Sequence, residues 1–258
     1  MCFETSQLAY RIYQEAKRIG ASVDEIERLR KQWEKLKDGG IEFHHVSGFS
    51  HPELVVFKKK EGQTIIERNI WGLIPPWVKN VDEAQIIWDK TLNARGETIF
   101  EKPSFKHAAA NDRCVVPLDG FFEHHHKRGQ TFPYFIKQKN NERLLVGGLS
   151  SEWVNIGTGA IVHSMAIVTT KGNELMAEIH NNPKLKEARM PLILDETSAI
   201  QWLEDDVVAA KLAVQSNETV ELEAYTVKRL RGDSYVGNVE EASEAHAYPE
   251  MVDPPELF

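Results

Sequence analysis

Between residues 41 and 171 the chain is cut into short apolar runs bounded by turn residues, and no regular strand–helix alternation links them. Parallel strands need a crossover of a dozen or more residues, usually a helix, so this pattern selects a mixed, mainly antiparallel sheet with helices outside it. The stretch VVFKKKEGQTIIERNIWGLIP holds two such runs around Glu61-Gly62, which predicts a hairpin, and Pro75-Pro76 ends its second strand. RCVVPLDGFFEH reads as strand, tight turn, strand; FPYFIKQ, RLLVGGLSSEWV, AIVHSMAIVTT and ETVELEAYTVKR read as further strands. Gly147-Gly148 marks a bulge or a close approach within one of them. Helices are expected over 8–19, 23–37 and 82–89, in KGNELMAEIH, and from Glu196. Ser22 with Glu25 three residues on is a capping-box pattern, and Gly39-Gly40 stops that helix.

Composition removes several function classes. Twenty-three aromatic residues (six Trp, six Tyr, eleven Phe) support an ordered core. No apolar run reaches the length of a membrane span, and the N-terminus lacks a basic start followed by an apolar block, so the expected compartment is the cytoplasm. Two cysteines, Cys2 and Cys114, exclude a disulfide scaffold and a four-cysteine zinc site. Phosphate-cradling GxxxxGK[ST] and GxGxxG loops, HExxH and GxSxG are all missing. His124-His125-His126 would alternate faces on a strand, so only the first and third could share a ligand set. No organic cofactor or metal is called for.

The net charge of −8 argues against nucleic acid until its distribution is seen. Residues 201–258 carry 13 acidic and 4 basic side chains, whereas residues 1–200 are nearly neutral, with 26 and 27. A neutral body can carry a basic face. The last 20 residues hold six acids and no Lys or Arg, and show neither helix nor strand period. The expected organisation is one domain over 1–238 and a loosely docked acidic tail over 239–258.

Cys2 directly follows Met1, and a small second residue favours removal of the initiator. Removal would leave an α-amine of pKa about 8 and a thiol of pKa about 8.5 on one residue. Such an aminothiol condenses with an aldehyde, the amine giving an imine and the sulfur closing a five-membered thiazolidine. Taken alone, a second-position Cys is more simply a small apolar residue of an N-terminal strand.

Further residues change that balance. Met1-Cys2, Trp71-Gly72-Leu73-Ile74-Pro75 with Trp77, Asn93-Ala94-Arg95-Gly96-Glu97-Thr98, Pro103-Ser104-Phe105, Arg113-Cys114-Val115-Val116-Pro117, Asp119-Gly120-Phe121-Phe122-Glu123, His180 and Arg189-Met190-Pro191 follow one another in order. In these features the chain resembles the SOS-response-associated peptidase (SRAP) family of abasic-site processing proteins. Three positions depart from that family's usual pattern. Phe3-Glu4 stands where it has Gly-Arg, His124 where it has Trp, and eight residues separate His180 from Arg189.

The resemblance implies an α+β, single-domain SRAP-like fold with a mixed, mainly antiparallel β-barrel-like core and peripheral helices. It implies capture of abasic sites in single-stranded DNA, junctions with duplex included, by a monomer that needs no membrane. Cys2 would be the covalent nucleophile after Met1 removes itself. Asn93 would hydrogen-bond the opened sugar or the crosslink, Glu123 would pass a proton during ring opening, and His180 would assist. Arg95 and Arg113 are the expected phosphate contacts, and Trp71 and Trp77 either stack on bases or pack in the core. Cys114 should be a buried, inert thiol. Glu4 must point away from DNA or be neutralised by a nearby cation. Two other readings stay open: an N-terminal-nucleophile cysteine peptidase or amidase, and a non-covalent single-stranded DNA-binding module.

Overall fold

The computed structural model describes residues 2–37, 40, 42–204, 206–215 and 220–251. Its strands run β1 (Glu4–Gln7), β2 (Phe43–Ser47), β3 (Glu53–Lys60), β4 (Gln63–Trp71), β5 (Asn93–Arg95), β6 (Arg113–Leu118) and β7 (Gly120–Lys127), then β8 (Gln130–Gln138), β9 (Leu144–Val154), β10 (Ile161–Lys171), β11 (Arg189–Pro191), β12 (Ile193–Leu194) and β13 (Leu222–Thr226). The α-helices are α1 (Val23–Leu36), α2 (Val81–Trp88), α3 (Lys106–Asn111), α4 (Glu174–Ile179), α5 (Glu196–Leu203) and α6 (Val207–Gln215).

Strands β10, β4, β3, β6 and β9 pair in that order, and β9 pairs again with β10, so five strands close a barrel. Closure leaves no free edge within the ring. Only the β10–β4 pair is parallel in the ring, and the short β5 also joins β10 in parallel, with Asn93 opposite Ile167. A second sheet runs β13-β8-β7-β1-β2. The mainly antiparallel core expected from the run pattern, and the barrel form implied by the family resemblance, are thus the architecture.

Both faces of the ring strands are buried. Val55, Phe57, Val115 and Val168 join a cluster with Leu29, Trp33, Ala199 and Trp202 from the helices. Leu54, Val56, Val116 and Ile167 join another that includes Cys2, Trp71, Phe121 and Ile179. Gly148 is required by this packing, because a Cβ there would lie 2.8 Å from the Cys114 sulfur.

Local signals behave as their chemistry dictates. Ser22 caps α1 and Glu25 returns a bond to the Ser22 amide at 2.9 Å. Glu61 and Gly62 have φ of 51° and 75°, the left-handed pair that a two-residue hairpin needs. Residues 12–19 wind as a 3-10 helix rather than the α-helix expected over 8–19. Gly39 and residues 252–258 of the tail lie outside the described residues. The rest of the tail is packed: Ala242 is fully buried, Ala245 bridges to Val227, and the Tyr248 hydroxyl donates to the Val227 carbonyl at 2.8 Å.

Candidate active site

Cys2 lies two residues before the start of β1, which runs between β2 and β7 and so brings the N-terminus against the strand that carries Glu123. Cys2 is 1% exposed, and its thiol donates weakly to the Glu4 carbonyl at 3.8 Å. Burial and the negative charge of Glu123 push that thiol up to about 12. A thiol in this state holds its proton at neutral pH, so a nearby base must take it before sulfur can attack. Asn93, held on β5 by pairing with β10, donates from Nδ2 to the Cys2 carbonyl at 2.7 Å. Its Oδ1 is buried and accepts no bond from the described residues.

Glu123 sits on β7 and is 8% exposed. Its Oε1 accepts from the His124 amide at 3.0 Å, and its Oε2 lies 3.4 Å from His180 Nδ1. His180 ends α4, where its peptide N–H closes on Met176. Its Nδ1 also lies 3.0 Å from the Arg189 carbonyl oxygen and 3.2 Å from the Arg189 nitrogen. The Arg189 backbone offers both a donor and an acceptor to this nitrogen. A neutral ring with its proton on Nε2 accepts from the Arg189 N–H, and an imidazolium donates from Nδ1 to the carbonyl or to Glu123. His180 and Arg189 therefore meet despite the eight residues between them.

Arg189 is 2% exposed and grips Glu97 through two parallel bonds of 2.6 and 2.8 Å, with a further bond to the Thr169 carbonyl at 2.8 Å. Burial alone would raise the Glu97 carboxyl, but the guanidinium fork holds it below its ordinary value. This clamp ties the segment bearing Asn93 to the segment that orients His180.

Glu123 and His180 open into a cavity of about 490 Å³ also lined by Phe3, His124, His126, Arg229 and Arg231. Glu4 turns inward at 3% exposure. Arg231 donates to its Oε1 from Nε at 3.1 Å and from Nη2 at 2.8 Å, while His45 and His124 stand at 3.8 and 3.6 Å. Against the upward push of burial, His45, His124 and Arg231 hold the Glu4 carboxyl at about 2. Both conditions expected of Glu4 are met: it points inward and is neutralised.

Among the expected DNA contacts, Arg95 is exposed and Trp77 is 53% exposed, its indole N–H reaching the Pro103 carbonyl at 3.2 Å. One expectation is corrected, and for Trp71 the stacking reading gives way to the core reading. Arg113 is no surface cation: at 6% exposure it donates to the carbonyls of Trp202, Ala109, Ala110 and Glu204 and tethers α3 and α5 to the barrel. Trp71 is fully buried, with its indole N–H bonded to the Leu92 carbonyl at 2.8 Å, and presents no face for a base. Cys114 is fully buried, and burial drives its thiol far upward. His124 and His126 do share a face, that of the cavity.

Sequence reasoning passed over Arg231 and Tyr235, which reach the Glu4 cluster from 227 and 190 residues away, Tyr235 through His45 Nδ1 at 2.7 Å. The only signal was the RLRGD stretch, an unassigned pair of arginines in an otherwise acidic C-terminal third.

Comparison with known proteins fits this geometry. "Abasic site processing protein YoqW" of Bacillus subtilis (strain 168) is 36% identical over 180 residues, covering 68% of this chain and 75% of the relative. "Abasic site processing protein HMCES" of Xenopus tropicalis is 27% identical over 220 residues, 74% of this chain and 63% of the relative. The X-ray structure of a Bacteroides thetaiotaomicron protein superposes with a TM-score of 0.78 at 28% identity, covering 95% of this chain and all of that one. A family model, SOS response associated peptidase (SRAP), matches residues 16–233. With a barrel, a buried Cys2 and the Asn93, Glu123 and His180 cluster beside it, the chain belongs to the SRAP family.

Proposed function

We propose that this protein captures abasic sites in single-stranded DNA as a covalent adduct of Cys2, shielding the lesion. The observation that carries the reading is the convergence on Cys2: Asn93 bonds its carbonyl at 2.7 Å, and the Glu123 charge acts on its thiol while Glu123 itself lies 3.4 Å from His180. The substrate is the open aldehyde form of the deoxyribose, and an abasic nucleotide has no base to unstack before its sugar enters a cavity.

The sequence of steps follows from these groups. Met1 leaves by self-processing and frees the Cys2 amine. Glu123 and His180 exchange protons with the sugar: the C1 hydroxyl loses one and the ring oxygen gains one, opening the ring. The amine adds to the aldehyde and water departs, leaving an imine. Glu123 takes the thiol proton, sulfur bonds to the imine carbon, and nitrogen regains a proton, closing the thiazolidine. Burial is the main reason the thiol is raised, and transfer of its proton to Glu123 neutralises the second cause, the carboxylate charge beside it. Asn93 fixes the Cys2 carbonyl and offers its unpaired Oδ1 to a sugar hydroxyl or the nascent ring. Arg95 holds backbone phosphate and Trp77 stacks a flanking base.

The protein acts as a monomer, on strand junctions as well as single strands. Lyase or peptidase turnover would proceed from the same cysteine. The test is a denaturant-resistant adduct on an abasic oligonucleotide, lost in Cys2→Ala. Processing of an unrelated peptide with no such adduct would favour the peptidase reading, and salt-sensitive binding that never becomes covalent would favour the binding module.

A further inference from the structure

The cavity at Glu123 and His180 holds two arginines, and their circumstances differ. Arg229 is consumed by the fold. It donates to the Thr131 carbonyl, and its guanidinium lies 5.2 Å from the ring centres of both Phe132 and Tyr248. Arg231 is 68% exposed, and the bonds that hold it, from Nε and Nη2, both go to one oxygen of Glu4. Its Nη1 makes no contact with a protein acceptor among the described residues. The burial of this pair is lopsided: the carboxylate is walled in by β1, His45 and His124, and the cation stands in solvent at the cavity wall.

What this pair gives to folding comes through the buried Glu4 carboxylate; on its solvent side it has another consequence. It fixes an arginine. A free arginine loses rotamer entropy when it binds, and one already tethered along one edge loses less. The tether also starts two residues from Cys2, on the strand that positions the nucleophile. A cavity that presents Glu123 to a polyanion requires a cation to offset that carboxylate, and of the two arginines lining it Arg231 is the exposed one, held along one edge by a single carboxylate oxygen.

We propose that Arg231 is a phosphate-binding residue of the capture site, holding a phosphodiester next to the abasic sugar, and that Glu4 is the positioning residue that aims it. This rests on the DNA-capture reading above.

The test measures adduct formation on an abasic oligonucleotide against protein concentration, in a salt series. Arg231→Ala should raise the half-saturating concentration about tenfold and reduce the slope of log affinity on log salt by about 0.7, the contribution of one single-strand phosphate contact. Arg231→Lys should restore the slope and only part of the affinity, because the ammonium lacks the edge that Glu4 grips. A merely structural role would not move the salt slope. Glu4→Gln separates positioning from charge: the aimed-arginine account expects binding about threefold weaker with the slope kept. A carboxylate that only repels DNA would, on removal, give tighter binding, and that result would overturn the role of Glu4. Arg231→Ala with the parent's half-saturating concentration and slope would overturn the role of Arg231 while leaving DNA capture standing. A parent protein that forms no adduct would overturn the capture reading and this proposal with it.

Discussion

Asn93 donates its Nδ2 hydrogen to the carbonyl oxygen of Cys2 at 2.7 Å across 91 residues of sequence. The bond joins the backbone of Cys2, the proposed nucleophile, to β5, and β5 is held by the barrel strand β10. Cys2 is thereby tied to the barrel. Asn93→Ala should slow adduct formation about tenfold and cost about 1 kcal/mol of stability, the usual worth of one buried bond. Single-turnover crosslinking and denaturant unfolding of the same preparations check the two effects. Asn93→Asp should be worse for the reaction, because a second carboxylate would oppose formation of the thiolate.

The closeness of Cys2, Asn93, Glu123 and His180 was legible through the ordered motifs that carry the family resemblance, since each residue alone has ordinary structural uses. Other features are legible locally. The Ser22–Glu25 cap and the Glu61-Gly62 turn are decided within four residues. Arg113 and Trp71 were not legible, because a strand residue may face either way. Arg113 finds its acceptors in the Trp202 and Glu204 carbonyls, about 90 positions on. The tail shows no period because it docks through separate contacts, Ala242, Ala245 and Tyr248, rather than as one helix or strand.

Glu123→Gln keeps shape and hydrogen bonding and removes proton exchange. Crosslinking should slow by about 10²–10⁴-fold, the range for loss of a positioned acid–base group, with noncovalent affinity for the abasic oligonucleotide largely kept. Rates measured over pH 6–8 on parent and variant decide it. Equal rates at every pH would remove Glu123 from the chemical step.

The two arginines of the NARGET and RCVVP motifs should now separate. Arg95→Ala should weaken DNA binding and lower the salt slope by about 0.7, with an unchanged melting temperature. Arg113→Ala strips four carbonyls of their donor and should destabilise the fold by about 3 kcal/mol. Melting curves beside a salt series show which behaviour each variant follows. The tryptophans divide in the same way. Trp77→Ala should cost about 1–3 kcal/mol of DNA affinity, and Trp71→Ala about 3–5 kcal/mol of stability.

Glu4 gives the fold an acid-sensitive component. Its folded carboxyl titrates at about 2 against an ordinary value of 4.5. The unfolded state therefore takes up the proton first as pH falls. The stabilisation is complete above pH 4.5 and is lost as pH drops toward 2, on the order of 3 kcal/mol in all. Unfolding free energies at pH 6, 4 and 3 should fall more steeply for the parent than for Glu4→Gln. Parallel curves would show that the Arg231 and histidine contacts do not hold the carboxylate as described.

The central claim is that Cys2, as a free N-terminal aminothiol, bonds the abasic aldehyde. Intact mass analysis after incubation with an abasic single-stranded oligonucleotide, in denaturant and without reductant, tests it most directly. The account predicts one species with the mass of the chain lacking Met1 plus one oligonucleotide less one water, and none with Cys2→Ala. No adduct, or an adduct on a chain that still carries Met1, would contradict it.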